Sequence, residues 1–121
     1  MPKTSLPPAT LDGLPDPALA EVASFFQALA EPNRLRLLNL LRGGEQRVGD
    51  LAELSGMTTT NVSRHLSLLQ QRGLVLREGR GTSVYYRIAD VGIYELCDLV
   101  CGSLARQSES QARARLALFR T

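Results

Sequence analysis

Two groups of residues in this chain have types and spacings suited to chemistry. The first lies in residues 58–75, TTTNVSRHLSLLQQRGLV. Thr59, Thr60, Asn61, Ser63, Arg64, His65 and Ser67 crowd one end of the stretch, and leucines occupy the rest. Hydroxyl, amide and guanidinium groups with no carboxylate among them match the acceptors and donors of base edges in a DNA major groove and the phosphates along its rims. A carboxylate there would be repelled by phosphate. The second group is Cys97 and Cys101, the only cysteines. On a helix, a spacing of four puts both thiols on one face, about 40° apart. Soft thiolates select thiophilic ions. Two or three suit arsenite or antimonite, and four suit zinc or cadmium. Such an ion would be an inducer, since nothing in the chain requires a cofactor.

Each group also has a plain structural reading. The first is compatible with a helix capped by Thr58 or Thr59 and bearing an ordinary polar surface. His65, about 60° from the core direction, fits either a partly packed ring with one satisfied nitrogen or a phosphate contact. The cysteines fit simple packing, because free cysteine behaves as a small hydrophobe. They also fit thiol oxidation, although two helical cysteines one turn apart are poorly placed for an unstrained disulfide.

Helical and extended elements must hold these groups. Residues 1–17 contain Pro2, Pro7, Pro8, Pro15 and Pro17, and so predict a disordered arm. Residues 18–29, ALAEVASFFQAL, carry apolar side chains at helical spacing. Glu31-Pro32 opens a second helix, RLRLLNLLR is apolar around most of its circumference, and Gly43-Gly44 closes it. VGDLAEL, the turn Ser55-Gly56-Met57 and the 58–75 segment then form a short helix, a turn and a second helix. In that last helix Val62, Leu66 and Leu69 fall within about 60° of one another, while Thr60, Arg64, Ser67 and Gln71 point the opposite way.

Beyond Gly73 the period changes to two. Residues 74–77 predict one strand and residues 84–88 another, with EGRGTS as the hairpin tip, Arg77 at its base and Arg80 at its apex. Helical periodicity returns from Val91 to about Leu118. The expected fold is mainly α with a two-stranded β-wing, a winged helix-turn-helix. Its expected parts are an arm over 1–17, a DNA-binding and dimerisation domain over 18–108, and a helix extension or tail over 109–121.

Composition narrows the function. The chain of 121 residues carries a net charge of only +2, but between Asn61 and Ile88 five arginines face a single acid, Glu78. That basic middle suits a polyanion. No apolar run is long enough for a membrane span, and the N-terminus shows no secretory h-region, so the cytoplasm is the expected location. One histidine, no Ser–His–Asp pattern and no phosphate-cradling glycine loop argue against an enzyme. The remaining alternative of another class is a winged-helix protein–protein module without specific DNA binding.

The segments ALAEPNRLRLLNLLRGGE, VGDLAELSGMTTTNVSRHLSLLQQRGLV and REGRGTSVYYRI resemble the ArsR/SmtB family of bacterial winged-helix repressors, over roughly Leu19 to Leu104. The resemblance implies a homodimer, joined through its first and last helices, that binds an imperfect palindromic operator and represses transcription until an inducer weakens binding. The family's metalloregulator sites transfer poorly. The helix before the 58–75 segment has no cysteine for an arsenic-sensor motif. Asp90 matches the first zinc-sensor ligand, but Gly92, Ser103 and Arg106 occupy the other positions. The second helix lacks the cysteine of the persulfide-sensing type. Cys97 and Cys101 remain. With the family's dimer they would bring four thiols near the twofold axis. Response to a thiophilic ion, response to oxidation or persulfide, and no inducer at all stay open.

Overall fold

The computed structural model describes residues 9–120. Pro2, Pro7 and Pro8 of the expected arm, and Thr121, lie outside the described residues. Five helices and three strands follow in the order α1 (Asp16–Leu29), α2 (Pro32–Leu41), β1 (Gln46–Arg47), α3 (Val48–Ser55), α4 (Thr59–Gln71), β2 (Val75–Arg80), β3 (Ser83–Ile88) and α5 (Gly92–Leu118). Helix α1 begins two residues before the expected start and takes Pro17 into its first turn, where a missing N–H costs nothing.

Local chemistry sets the helix ends. Pro32 has no N–H to bond the carbonyl of Ala28, so α1 cannot run on. Glu31 caps α2, its Oε2 accepting from the Arg34 N–H at 3.0 Å. Gly56 turns the chain between α3 and α4 in the left-handed region, φ 75°, which favours glycine. Thr58 then caps α4, its Oγ1 accepting from the Asn61 N–H at 3.1 Å.

The core joins the inward faces of all these elements. Leu37 and Leu41 from α2, Leu51 from α3, Val62, Leu66 and Leu69 from α4, and Val75 from β2 are fully buried. Apolar spacing on α4 therefore does what periodicity predicts: three aliphatic side chains anchor the helix and the opposite face is left outside.

The wing differs from the expectation. It is a three-stranded antiparallel sheet in the order β1-β3-β2, with β1 pairing Gln46 to Tyr86 and Arg47 to Tyr85. A two-residue strand has no periodicity to detect, and its pairing supplies the third strand that a lone hairpin needs for stability. The hairpin is also tighter than expected. Glu78, Gly79 and Arg80 lie within β2, and only Gly81 and Thr82 separate the strands. Helix α5 is continuous to Leu118, and from Ser103 onward every described side chain is exposed.

Candidate nucleic-acid interface

Helix α4 presents Thr59, Thr60, Ser63, Arg64 and Ser67 to solvent, with Asn61 half-buried at the edge. The Arg64 guanidinium donates to Asn61 Oδ1 at 3.2 Å. That single neutral contact leaves its charge unopposed and most of its donors free. No carboxylate lies on the helix, and its N-terminal N–H groups carry the positive end of the helix dipole.

His65 is buried, with only 9% of its surface exposed. Its ring points into the junction of α1, α2 and α4. Nδ1 lies 3.5 Å from an Arg34 guanidinium nitrogen and Nε2 lies 3.9 Å from Glu31 Oε2. Arginine only donates, so Nδ1 is the accepting side of that contact. Arg34 also fills the end of α1. Its Nε donates to the Ala28 carbonyl at 2.6 Å and a terminal nitrogen donates to the Gln27 carbonyl at 3.1 Å. Of the two roles open to His65 in the sequence, this placement matches the packed one. The ring fixes α4 against α2 and is turned away from the solvent face.

The wing arginines divide between two faces. Cross-strand partners share a face of a sheet. Arg77 opposes Tyr86, which is buried, whereas Arg80 opposes Ser83, and Glu78 opposes Tyr85. Arg77 and Arg80 therefore lie on opposite faces of the hairpin. Arg47 and Arg87 share the face of Arg80, Arg47 through its pairing with Tyr85. Sequence reasoning missed Arg47, because the strand that orients it was not visible.

Arg80 does not project freely. Its terminal nitrogens donate to both Glu45 oxygens at 2.6 and 2.7 Å, and its Nε donates to Glu78 at 2.9 Å. The guanidinium also stacks over the Tyr85 ring, 4.5 Å from the centroid. These contacts raise the Arg80 pKa, through the hydrogen bond to Glu78 and then that to Glu45, and Arg80 in turn holds the Glu78 carboxyl below its ordinary range. Among the described residues, Arg64, Arg77 and Arg87 make no ion pair.

A second site lies at the start of α5. Tyr94 donates its hydroxyl to the Leu38 carbonyl at 2.7 Å, at the end of α2. Arg42 stacks on the Tyr94 ring at 4.8 Å and pairs with Asp98 at 2.9 Å. Cys97 is half-buried beside them and Cys101 is exposed. Burial raises the Cys97 thiol above its ordinary pKa, and Cys101 and Asp98 add to the shift. Among the described residues no group of three or more His, Cys, Asp or Glu side chains converges as a metal site would require. The thiols open onto an apolar groove of about 410 Å³ between α1, α2 and α5, lined by Phe26, Leu29, Leu35, Tyr94, Val100 and Leu104 among others. Several of these side chains are solvent-exposed in one protomer, Leu104 to 56%. No helix among the described residues is long and apolar enough to cross a membrane.

Comparison with known proteins agrees with this geometry. Residues 31–76 match the family model for bacterial regulatory proteins of the arsR family. The HTH-type transcriptional regulator NmtR of Mycobacterium tuberculosis is 44% identical over 92 residues, covering 76% of this chain and 74% of that protein. A homodimeric winged helix-turn-helix DNA-binding domain of Mycobacterium bovis, Mb0332, superposes with a TM-score of 0.70 at 36% identity, covering 83% of this chain and 95% of that one. The antimony-specific transcriptional repressor AntR superposes with a TM-score of 0.68 at 31% identity, covering 88% of this chain and 99% of that one. With an acid-free helix face presented by a winged helix-turn-helix and these relatives, the chain belongs to the ArsR family of bacterial transcriptional regulators, DNA-binding proteins rather than enzymes.

Proposed function

We propose that the protein is a homodimeric repressor that reads an imperfect palindromic operator with α4 and leaves it when a thiophilic ion engages Cys97 and Cys101. The observation that carries the DNA-reading half is the solvent face of α4, where Thr59, Thr60, Ser63, Arg64 and Ser67 are exposed with no acid among them. Arg64 is suited to base edges in the major groove. The hydroxyls and Asn61 suit bases or phosphates at the groove rims. Arg77 at the wing approaches the flanking backbone. A twofold axis would set two such helices about 34 Å apart, one turn of duplex.

The apolar groove over α1, α2 and α5 supports the dimer, since its exposed Phe26, Leu35, Val100 and Leu104 gain by being covered. Two thiols in one chain fall short of a closed site for zinc or cadmium. Four across a twofold axis complete one, and two or three suffice for a trivalent metalloid. AntR, a structural relative, is antimony-specific, which favours the metalloid. The raised Cys97 pKa bears equally on the oxidation and ion-binding readings, because the thiolate is both the species that reacts and the species that ligates. A bound ion displaces the proton, so its binding tightens as pH rises.

The test is release of the dimer from its own promoter by arsenite, antimonite, cadmium, zinc or a persulfide donor. Replacing both cysteines by serine leaves DNA binding intact and abolishes release. Release that persists in the double variant moves the sensor elsewhere. Persulfide as the only effective agent selects the redox reading, and no effective agent leaves a repressor without an inducer.

A further inference from the structure

The clamp on Arg80 is not explained by DNA reading alone. A wing arginine is the natural partner of a phosphate, yet this one has two carboxylates on it. Glu45 immediately precedes β1 and Arg80 ends β2, with β3 between them, so the side chain reaches across the middle strand to make its bidentate contact. Two acids and one guanidinium leave the cluster with a net charge of −1. Arg47 on the same sheet face is likewise held by an acid, Asp50, at 3.2 Å, whereas Arg64 on α4 has none.

Resting on the reading of α4 and the wing as the DNA-binding face, we propose that Glu45 is an affinity-setting residue. It withholds the Arg80 guanidinium from the phosphate backbone, and so lowers the generic electrostatic component of binding. Base contacts from α4 are untouched by this. Operator and unrelated duplex are weakened by similar factors, and the ratio between them stays with α4. The clamp therefore positions Arg80 away from the duplex, and Arg80 does not belong to the contact set of the wild-type complex.

The magnitude follows from counterion release. One phosphate contact adds about 0.9 to the slope of log K against log salt, so a twofold dimer that frees both wings steepens it by about 1.8. At about 0.1 M salt each freed contact strengthens binding roughly eightfold relative to 1 M, where the term vanishes.

The experiment is a double-mutant cycle on the full-length protein, wild type, Glu45→Gln, Arg80→Ala and the pair. Binding to the protein's own promoter and to an unrelated duplex of equal length is read by fluorescence anisotropy across a salt series. Circular dichroism melts check that each variant is folded. Glu78→Gln supplies a second way to loosen the clamp should Glu45→Gln fail to fold. The expected result is a steeper slope and tighter binding for Glu45→Gln on both duplexes, with the gain absent when Arg80 is alanine.

Three results overturn the proposal. One is unchanged or weaker binding by Glu45→Gln. Another is a gain that persists without Arg80, which reduces Glu45 to simple repulsion of phosphate. The third is a slope that flattens by a full contact per wing in Arg80→Ala alone, which places Arg80 on phosphate already. If none of the four proteins binds either duplex, the DNA-binding reading falls together with this one.

Discussion

Replacing Arg34 by alanine tests whether the junction beneath α4 holds the fold as the geometry says. The carbonyl of Ala28 would ordinarily bond the N–H four residues on, but that residue is Pro32, and the Arg34 Nε takes its place at 2.6 Å. A second donor reaches Gln27 at 3.1 Å, and a third nitrogen faces His65 Nδ1 at 3.5 Å. A hydrogen bond from a charged group contributes about 1.5–3 kcal/mol net. Ala28 is buried and Gln27 is exposed, so the first bond counts fully and the second toward the low end. His65, left with an unsatisfied nitrogen in a packed site, adds to the loss.

The expected cost of Arg34→Ala is therefore about 2–4 kcal/mol, seen as a fall in melting temperature of roughly 10–20 °C. Arg34→Lys keeps the charge but loses the planar fork, and recovers about half of that. Urea unfolding followed by circular dichroism at fixed protein concentration measures both, the concentration being held because a dimer melts by mass action. A loss below about 0.5 kcal/mol, the ordinary range for a surface substitution, would refute the reasoning and reduce the cluster to a surface contact.

Two further outcomes follow from single contacts. Thr58→Ala removes the cap on α4 and is expected to cost about 0.5–2 kcal/mol in urea unfolding. The Asp98 carboxyl is held below its ordinary range by its hydrogen bond to Arg42. Its contribution to stability is present above the ordinary carboxylate pKa and is lost as pH falls through the depressed value. Asp98→Asn should accordingly lose stability at neutral pH and show a shallower acid dependence in melts across the acid range.

Much of the scaffold was legible in the chain because its determinants are local. Val62, Leu66 and Leu69 repeat at helical spacing, Gly56 marks the turn, and the apolar run of α2 announces a central helix. The same periodicity put Thr60, Arg64 and Ser67 on the exposed face. What escaped was set by contacts distant in sequence or too short to carry a period. The strand at Gln46–Arg47 exists only because Tyr85 and Tyr86 pair with it. His65 sits near the edge of the core arc on a helical wheel, and only the arrival of Arg34 and Glu31 from α2 buries it. Arg77 and Arg80 differ by an odd number of residues, which on one strand means opposite faces. That parity stayed hidden because Glu78, Gly79 and Arg80 read as a turn. The clamp from Glu45 to Arg80 spans 35 positions, and nothing in the spacing of either residue announces it.

The central claim is that the acid-free face of α4 reads a duplex. Its most direct test is the affinity of Arg64→Ala for the protein's own promoter, set beside an unrelated duplex and beside the dimerisation constant from sedimentation. Specific binding should weaken by about 1–3 kcal/mol per substituted contact, with the dimer intact and discrimination between the two duplexes reduced. Operator affinity and discrimination equal to wild type would contradict the account.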